Sequence, residues 1–242
     1  TVAARTRRLT LAAEMQWELL PGRSRIRPSF SLAGQLEPSY GVRGDSFDWA
    51  ERDGRLFLSV LNGMGEGITA ALLTSLTTYA LRNARRAGLA LADQAALADQ
   101  AIFAQHAGAW HVSALLLDLD LTTGELTVVD AGSPRLMLLS DGKASRPPLD
   151  AQFPLGMFDS TDYRSETIQL TPGDRLVVVS DGVYGAVGYG DAELGRFLRR
   201  AGSMAALEAV RSLLGDLRLH LGAEAVLDDD AVAVVLDWRG PA

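Results

Sequence analysis

The chain has 242 residues, of which 48% are hydrophobic and 22% are charged, a composition typical of a globular protein rather than of a disordered or fibrous one. It contains no cysteine, which excludes disulfide frameworks, thiolate metal sites and cysteine nucleophiles. The net charge of -7 disfavours nucleic acid and anionic membranes as partners, and no apolar run reaches the roughly 20 residues that cross a bilayer. These features predict one large cytoplasmic domain.

The first predicted element is an amphipathic helix over residues 6–20, which ends at Pro21 and Gly22. Because the first residue is Thr1 and not methionine, we expect an upstream regulatory or sensory region that this sequence does not include. Residues 1–21 are therefore interpreted as an N-terminal helix that links that region to a domain over residues 22–242. A helix that forms a homodimer fits the same composition.

Apolar runs of strand length alternate with helical patterns through the rest of the chain. Strands are expected at 29–36, 55–61, 111–119, 125–130, 163–170, 175–180 and 231–236, and helices at 68–87, 91–105, 192–200 and 204–221. Short turns such as Arg52-Asp53-Gly54 join consecutive strands, which favours antiparallel pairing. We predict an α+β fold with two facing, mostly antiparallel β-sheets, a β-sandwich, flanked by pairs of helices.

Polar side chains with oxygen atoms recur at the ends of predicted strands or in turns next to glycine. They are Asp45, Asn62, Asp181 and the run Asp228–Asp230. Many Asp-Gly pairs only form turns. A carboxylate at the end of a buried strand, however, needs a cation or several hydrogen-bond donors, and Mg²⁺ and Mn²⁺ prefer oxygen ligands. The recurrence therefore predicts a site for a hard divalent metal.

Seven short motifs, in one order, resemble the metal-dependent serine/threonine protein phosphatase (PPM) superfamily. They are Val42–Asp45 with Asp48, Asn62–Gly65, Ala131–Pro134, Leu155-Gly156, Pro172–Asp174, Ser180–Gly182 and Asp229-Asp230. The resemblance is to the bacterial branch that contains the sporulation stage II E phosphatase and the phosphatases that regulate sigma factors. Each motif is weak alone, but their order and spacing are specific, and the resemblance as a whole runs from about Ala13 to Leu236, nearly the whole chain.

The resemblance implies a β-sandwich with two Mg²⁺ or Mn²⁺ ions at one end, where a water molecule between the ions attacks phosphorus in line. It assigns the catalytic and metal-binding roles to Asp45, Asn62, Asp181 and Asp229, and it implies that the backbone carbonyl of Gly63 faces the metal. Asp228 is an alternative ligand to Asp229, since three consecutive aspartates leave the register before the last strand open by one residue. Asp48, which is close to Asp45 in the sequence, is a further alternative. Residues 22–242 would then form the phosphatase domain.

Three positions depart from the pattern of this family. Asn62 stands where the family has an aspartate that bridges both metals, Arg43 replaces a glycine, and Ser133 replaces a histidine. Removing one unit charge about 4 Å from a cation costs roughly 4 kcal/mol at an effective dielectric constant of about 20, so metal binding should weaken. The guanidinium of Arg43 either opposes the cations or contacts a substrate phosphate.

Three function classes are compatible with these residues. The first is a phosphatase, weakened by Asn62, that acts on phosphoserine or phosphothreonine of a regulatory phosphoprotein such as an anti-sigma-factor antagonist. The second is a pseudophosphatase, a binding module without turnover. The third is an anion binder that uses residues 63–67 at a helix start, although this loop lacks the Lys-Ser/Thr of a P-loop. We favour the first class because a structural remnant has no need to keep three of the four acids.

Overall fold

Two antiparallel β-sheets form the centre of the molecule in a computed structural model, which describes residues 11–39, 43–222 and 227–242. The strands are β1 (Ser24–Ile26), β2 (Phe30–Glu37), β3 (Asp45–Arg52), β4 (Arg55–Gly63), β5 (Val112–Asp120), β6 (Glu125–Ala131), β7 (Arg135–Ser140), β8 (Lys143–Ser145), β9 (Glu166–Gln169), β10 (Arg175–Val179) and β11 (Ala231–Trp238). One sheet has the order β1-β2-β11-β10-β7-β8 and the other the order β3-β4-β5-β6-β9.

Helices cover the outer faces of both sheets. They are α1 (Leu11–Leu19), α2 (Gly67–Arg86), α3 (Leu91–His106), α4 (Asp181–Tyr184), α5 (Asp191–Arg200) and α6 (Ala206–Leu221). Helices α2 and α3 pack on the sheet that contains β4 to β6, whereas α5 and α6 pack on the sheet that contains β10 and β11. The predicted α+β sandwich flanked by helix pairs is confirmed.

Alternate apolar residues of both sheets meet in the central core. Leu32, Leu58, Leu115 and Val234 are among the buried side chains of this layer. Because side chains of a strand point alternately to its two faces, the residues between them pack under the helices instead.

In the described residues, no helix is long and apolar enough to cross a membrane.

Some predicted boundaries differ from the observed ones. The part of the first predicted helix before Leu11 lies outside the described residues, and the helix ends at Leu19. Strand β3 was not among the predicted strands, because its buried residues include the carboxylates of Asp45 and Asp48 rather than an apolar run. The strand predicted at 163–170 begins only at Glu166, since the side chain of Tyr163 turns inward toward Asp99.

Candidate active site

A tight hairpin places Asp45 beside Asn62 at one end of the second sheet. Asp53 and Gly54, between β3 and β4, have φ angles of 51° and 74°. Two consecutive positive φ angles are typical of a two-residue turn that matches the twist of the strands it joins. The resulting register sets Asp45 directly opposite Asn62, so that both residues lie at the ends of their strands.

Glycines bring the backbone of Gly63 close to Asp45. Gly44 has a φ of +85°, and a Cβ atom there would lie 2.6 Å from the carbonyl oxygen of Gly63. The hydroxyl of Thr74, on α2, donates a hydrogen bond of 2.8 Å to the carbonyl of Gly44. Only glycine fits at position 44, and this tight packing keeps the Gly63 carbonyl next to the predicted ligand Asp45.

Asp181 comes from the other sheet, where β10 ends and the short helix α4 begins. A Cβ atom on the next residue, Gly182, would lie only 1.9 Å from the backbone oxygen of Asp230. Ser180 also bonds to the start of β11, because its hydroxyl accepts a hydrogen bond of 2.9 Å from the amide of Val232. The glycine thus allows the segment of Asp181 to contact the segment of Asp230.

Asp45 is a buried carboxylate without the partners that burial normally requires. It is fully buried, and among the described residues neither of its carboxylate oxygens has a hydrogen-bond partner in good geometry. Burial raises the pKa of Asp45 well above its ordinary value, and the nearby hydroxyl of Ser180 only partly offsets this increase. The negative charges of Asp181, Asp229 and Asp230 raise the pKa further. An orphaned carboxylate facing other carboxylates fits a bound cation.

Asn62 makes direct contact with Asp181. Its side-chain nitrogen lies 2.5 Å from Oδ1 of Asp181 and 3.3 Å from the hydroxyl oxygen of Ser133. Burial raises the pKa of the Asp181 carboxyl, and the hydrogen bond from Asn62 partly counteracts the effect. The amide therefore acts here as a donor to Asp181. Its predicted role as a metal ligand stays a prediction.

The three aspartates before β11 have different environments. Asp228 is exposed, Asp229 is half-buried, and Asp230 is fully buried. Burial and the negative charge of Asp181 raise the pKa of Asp229 to about 6. The charge of Asp229 affects the pKa of Asp45, and the charge of Asp181 affects that of Asp229, whereas Asp228 is exposed.

Asp230 connects three segments of the chain around the site. It accepts hydrogen bonds from the amide and hydroxyl of Ser39, from the amide of Arg43 and from the side chain of Gln16, at 2.8 to 3.1 Å. Gln16 is itself buried and also donates to the carbonyl of Asp45. Sequence reasoning missed the importance of Asp230 and Gln16. The Asp229-Asp230 pair was the available signal for the first, and a polar residue on the predicted apolar face of α1 for the second.

Arg43 and Asp48 have different environments. Arg43 is exposed, and its positive charge offsets a small part of the increase in the pKa of Asp229 that burial causes. Asp48 instead forms a buried ion pair with Arg82 at 2.8 Å and a longer one with Arg85. Those arginines already satisfy the carboxylate of Asp48, which argues against it as a metal ligand. Val42, from the same motif, lies outside the described residues.

The acidic residues approach one another without completing a ligand set. Within the part of the chain that the structure describes, no three histidine, cysteine, aspartate or glutamate side chains are arranged so as to hold a metal ion. The side chain of Asn62 already donates a hydrogen bond to Asp181, whereas no described residue donates one in good geometry to the carboxylate of Asp45.

A model of the family described as stage II sporulation protein E (SpoIIE) matches residues 52–239. The chain belongs to this family. Membership places this SpoIIE-family protein in the PP2C-type (PPM) phosphatase superfamily, and the resemblance inferred from the motifs is confirmed.

Several proteins to which this SpoIIE-family chain is similar are phosphatases. It is 24% identical over 163 residues to the phosphoserine phosphatase RsbP of Bacillus subtilis, a match that covers 65% of this chain and 40% of RsbP. The predicted enzyme class, protein serine/threonine phosphatase, is the class of its relatives.

Solved structures share the fold. The RsbU and RsbW domains of a Mycobacterium tuberculosis protein are 26% identical, with a TM-score of 0.74 over 91% of this chain and 63% of that one. The PP2C phosphatase domain of SpoIIE from Bacillus subtilis, solved with a fragment of its regulatory domain, is 17% identical, with a TM-score of 0.76 over 87% of this chain and 63% of that one. RsbX, in complex with magnesium, is 17% identical, with a TM-score of 0.70 over 89% and 98%. The chain therefore spans less than two thirds of several of the proteins that it matches.

Proposed function

We propose that this SpoIIE-family chain is a metal-dependent phosphatase that removes phosphate from phosphoserine or phosphothreonine of a regulatory phosphoprotein. The observation that carries the proposal is the buried carboxylate of Asp45, which has no hydrogen-bond partner in good geometry among the described residues and lies near three other acidic residues. Burying an unpaired carboxylate is costly unless a cation neutralises it. If position 45 had only a structural role, an apolar or amide side chain there would make the folded state more stable.

Asp45, Asp181 and Asp229 are the residues that would hold Mg²⁺ or Mn²⁺, together with the backbone carbonyl of Gly63. When bound, such a cation neutralises charge on the phosphoryl oxygens and lowers the pKa of a water molecule. Asn62 offers at most a neutral amide oxygen where a fourth carboxylate would contribute charge. We therefore expect one ion to bind tightly at most, rather than a bridged pair. Asp228 is exposed and is the weaker candidate ligand.

The other residues of the chain position the acids and the substrate. Asn62 donates to Asp181 and holds that carboxylate in one orientation. Arg43 is exposed beside Asp229, where its planar guanidinium would bind two oxygens of a substrate phosphate. Because the amide of Arg43 is bonded to the buried Asp230, the backbone from which this side chain extends is fixed.

A pseudophosphatase is the second candidate function, and one observation favours it. The side-chain nitrogen of Asn62 already satisfies Asp181, which reduces the need of this carboxylate for a metal ion. In that case the domain would recognise a phosphoprotein without hydrolysing it. The two functions share a binding surface and differ only in turnover.

The substitution Asn62→Asp separates these two functions. It restores a negative charge, so we expect tighter Mn²⁺ binding by calorimetry and at least about tenfold faster hydrolysis of a small aryl phosphate, which requires only about 1.4 kcal/mol of barrier lowering. Asn62→Ala is the control, since it removes the donor without adding charge. Tighter metal binding with unchanged, negligible hydrolysis would favour the pseudophosphatase.

The biological setting of this activity is proposed on the same basis. An anti-sigma-factor antagonist is the substrate class that we propose, since the chain resembles RsbP and RsbU. The cytoplasmic location, the upstream sensory region and the homodimer all stay predictions.

A further inference from the structure

Two phenylalanines are exposed on the connection between β8 and β9, residues 146–165. Phe153 and Phe158 have 57% and 46% of their surface exposed, and their rings meet edge to face with centroids 4.8 Å apart. They line a groove of about 790 Å³. An exposed aromatic pair is costly in water and commonly marks a surface that binds a partner.

We propose that this aromatic groove docks the phosphoprotein substrate next to the active site, by accepting a bulky apolar side chain that has basic residues beside it. The proposal rests on the proposed function, because it names the features of the substrate that this same site would select.

The backbone that carries the aromatic pair is firmly anchored. Fully buried Asp99, on α3, accepts hydrogen bonds of 2.7 Å from the amide of Gly156 and 3.1 Å from the hydroxyl of Tyr163. Gly156 has a φ of +84°, and a Cβ atom there would lie 2.2 Å from Ile102. The two rings are therefore presented by a fixed loop, so little conformational entropy is lost when a partner binds.

Further hydrogen bonds close the base of this loop. The amide of Gln152 donates to the carbonyl of Asp130 at 2.8 Å, and its side chain forms two hydrogen bonds with the backbone of Arg164. These contacts join the groove to β6, which is a central strand of the second sheet. The groove is thus part of the rigid frame that also carries Asn62.

Backbone pairing places the connection that carries the groove at the same end of the second sheet as Gly63. Leu155 pairs with Val112, and Val112 pairs with Gly63 in the neighbouring ladder. Two strand spacings of about 4.8 Å place Leu155 about 10 Å from Gly63, and Phe153 lies two residues away from Leu155. An extended substrate covers about 3.3 Å per residue, so the docked side chain would stand about three to five positions from the phosphorylated residue.

The charge around the groove determines which peptide fits. Asp150, Asp162 and Glu166 line it, and Arg164 is the only cationic residue among its lining residues. This surplus of acidic side chains attracts lysine or arginine and repels acidic peptides, while the two rings contact the apolar side chain. Arginine or lysine next to an aromatic ring gains additional attraction from the ring face.

Synthetic phosphoserine peptides test this docking directly. One series carries phenylalanine three, four or five positions from the phosphoserine with lysines beside it, and its control series carries alanine and glutamate instead. With Mn²⁺ present, we expect the best phenylalanine peptide to have at least a fivefold lower KM than its control and an unchanged kcat. Phe153→Ala together with Phe158→Ala should remove this difference without changing hydrolysis of a small aryl phosphate.

A matched variant tests whether the loss of any exposed apolar side chain would have the same effect. Leu219→Ala removes an even more exposed apolar side chain on α6 and should preserve the peptide preference. Equal KM values for the two peptide series, or a preference that survives in the double phenylalanine variant, would overturn the proposal. So would a change of oligomeric state in the double variant by sedimentation, since a second copy would then occupy the groove. If the wild type hydrolyses neither the phosphoserine peptides nor the aryl phosphate, the Kd values of the same peptides are compared by calorimetry, which tests docking independently of turnover.

Discussion

At the residue scale, the environment of Asp45 links stability and proposed activity. Its carboxylate is fully buried, lacks hydrogen-bond donors among the described residues and has other negative charges around it. In the metal-free protein this charge opposes folding, whereas a bound cation would convert it into a stabilising contact. The carboxylate of Asp45 should therefore lower the stability of the metal-free protein and raise the stability of the metal-bound protein.

Asp45→Asn tests this reasoning, because asparagine has nearly the same shape and no charge. We expect the metal-free variant to unfold at a Tm at least about 2 °C higher than the wild type, the shift produced by about 1 kcal/mol in a domain of this size. Mn²⁺ should raise the Tm of the wild type but not that of the variant. Thermal unfolding with Mn²⁺ or a chelator measures both effects. A lower Tm without metal, or an intact response to Mn²⁺, would contradict the assignment.

At the scale of elements, the three consecutive aspartates of the loop before β11, Asp228–Asp230, have different environments. Asp230 fixes the loop by accepting hydrogen bonds from three other segments, while Asp229 is half-buried and Asp228 is exposed. A one-residue change of register in this loop would exchange the hydrogen-bonded carboxylate with the proposed ligand.

An alanine series over these residues should separate the three roles. Asp228→Ala should change the free energy of unfolding by less than about 0.5 kcal/mol, as surface substitutions usually do. Asp229→Ala should keep the fold but weaken Mn²⁺ binding at least tenfold. Asp230→Ala should cost about 2 kcal/mol or more, because it leaves buried donors unsatisfied. Denaturant unfolding and calorimetry measure these quantities, and strong loss of metal binding in Asp228→Ala alone would reverse the assignment.

Gly182 controls the contact between α4 and the same loop. Gly182→Ala would put a methyl group 1.9 Å from the backbone oxygen of Asp230 and should separate Asp181 from Asp229. We expect a loss of stability of about 1 to 3 kcal/mol, in the range of overpacked sites, and weaker Mn²⁺ binding. Gly215→Ala, within α6 and with open space around it, is the control and should raise stability by about 0.5 to 1 kcal/mol. Equal effects of the two changes on metal binding would show that this packing is unimportant.

At the scale of the whole molecule, the periodicity of the sequence predicted the architecture well. The central strands β5, β10 and β11 stand out as apolar runs of strand length, and α2, α3, α5 and α6 begin and end within two residues of the predicted boundaries. Strand β3 was missed because its buried face includes acids, which a hydrophobicity pattern reads as exposed. The pattern fails where the proposed function requires an unfavourable residue in the interior.

The sequence predicted members for the candidate site but not the contacts between them. Motif order selected Asp45, Asn62, Asp181 and Asp229, and their roles stay predictions. No pattern in the sequence indicated that Asn62 would donate to Asp181 or that Gln16 would reach Asp230, since these contacts join residues 119 and 214 positions apart. Such pairings depend on how the two sheets and α1 pack together, and they follow from tertiary structure alone.

The most direct test of the proposed function is release of inorganic phosphate from a phosphoserine peptide by the wild-type chain, measured with Mn²⁺ and with a chelator. We expect release that requires Mn²⁺, saturates with peptide and falls at least about 100-fold in Asp45→Asn, which corresponds to about 2.7 kcal/mol of barrier. Phosphate release that persists in the chelator or in Asp45→Asn would contradict the proposed role of the acidic site, and absence of release from the folded wild type at every Mn²⁺ concentration would contradict the phosphatase itself.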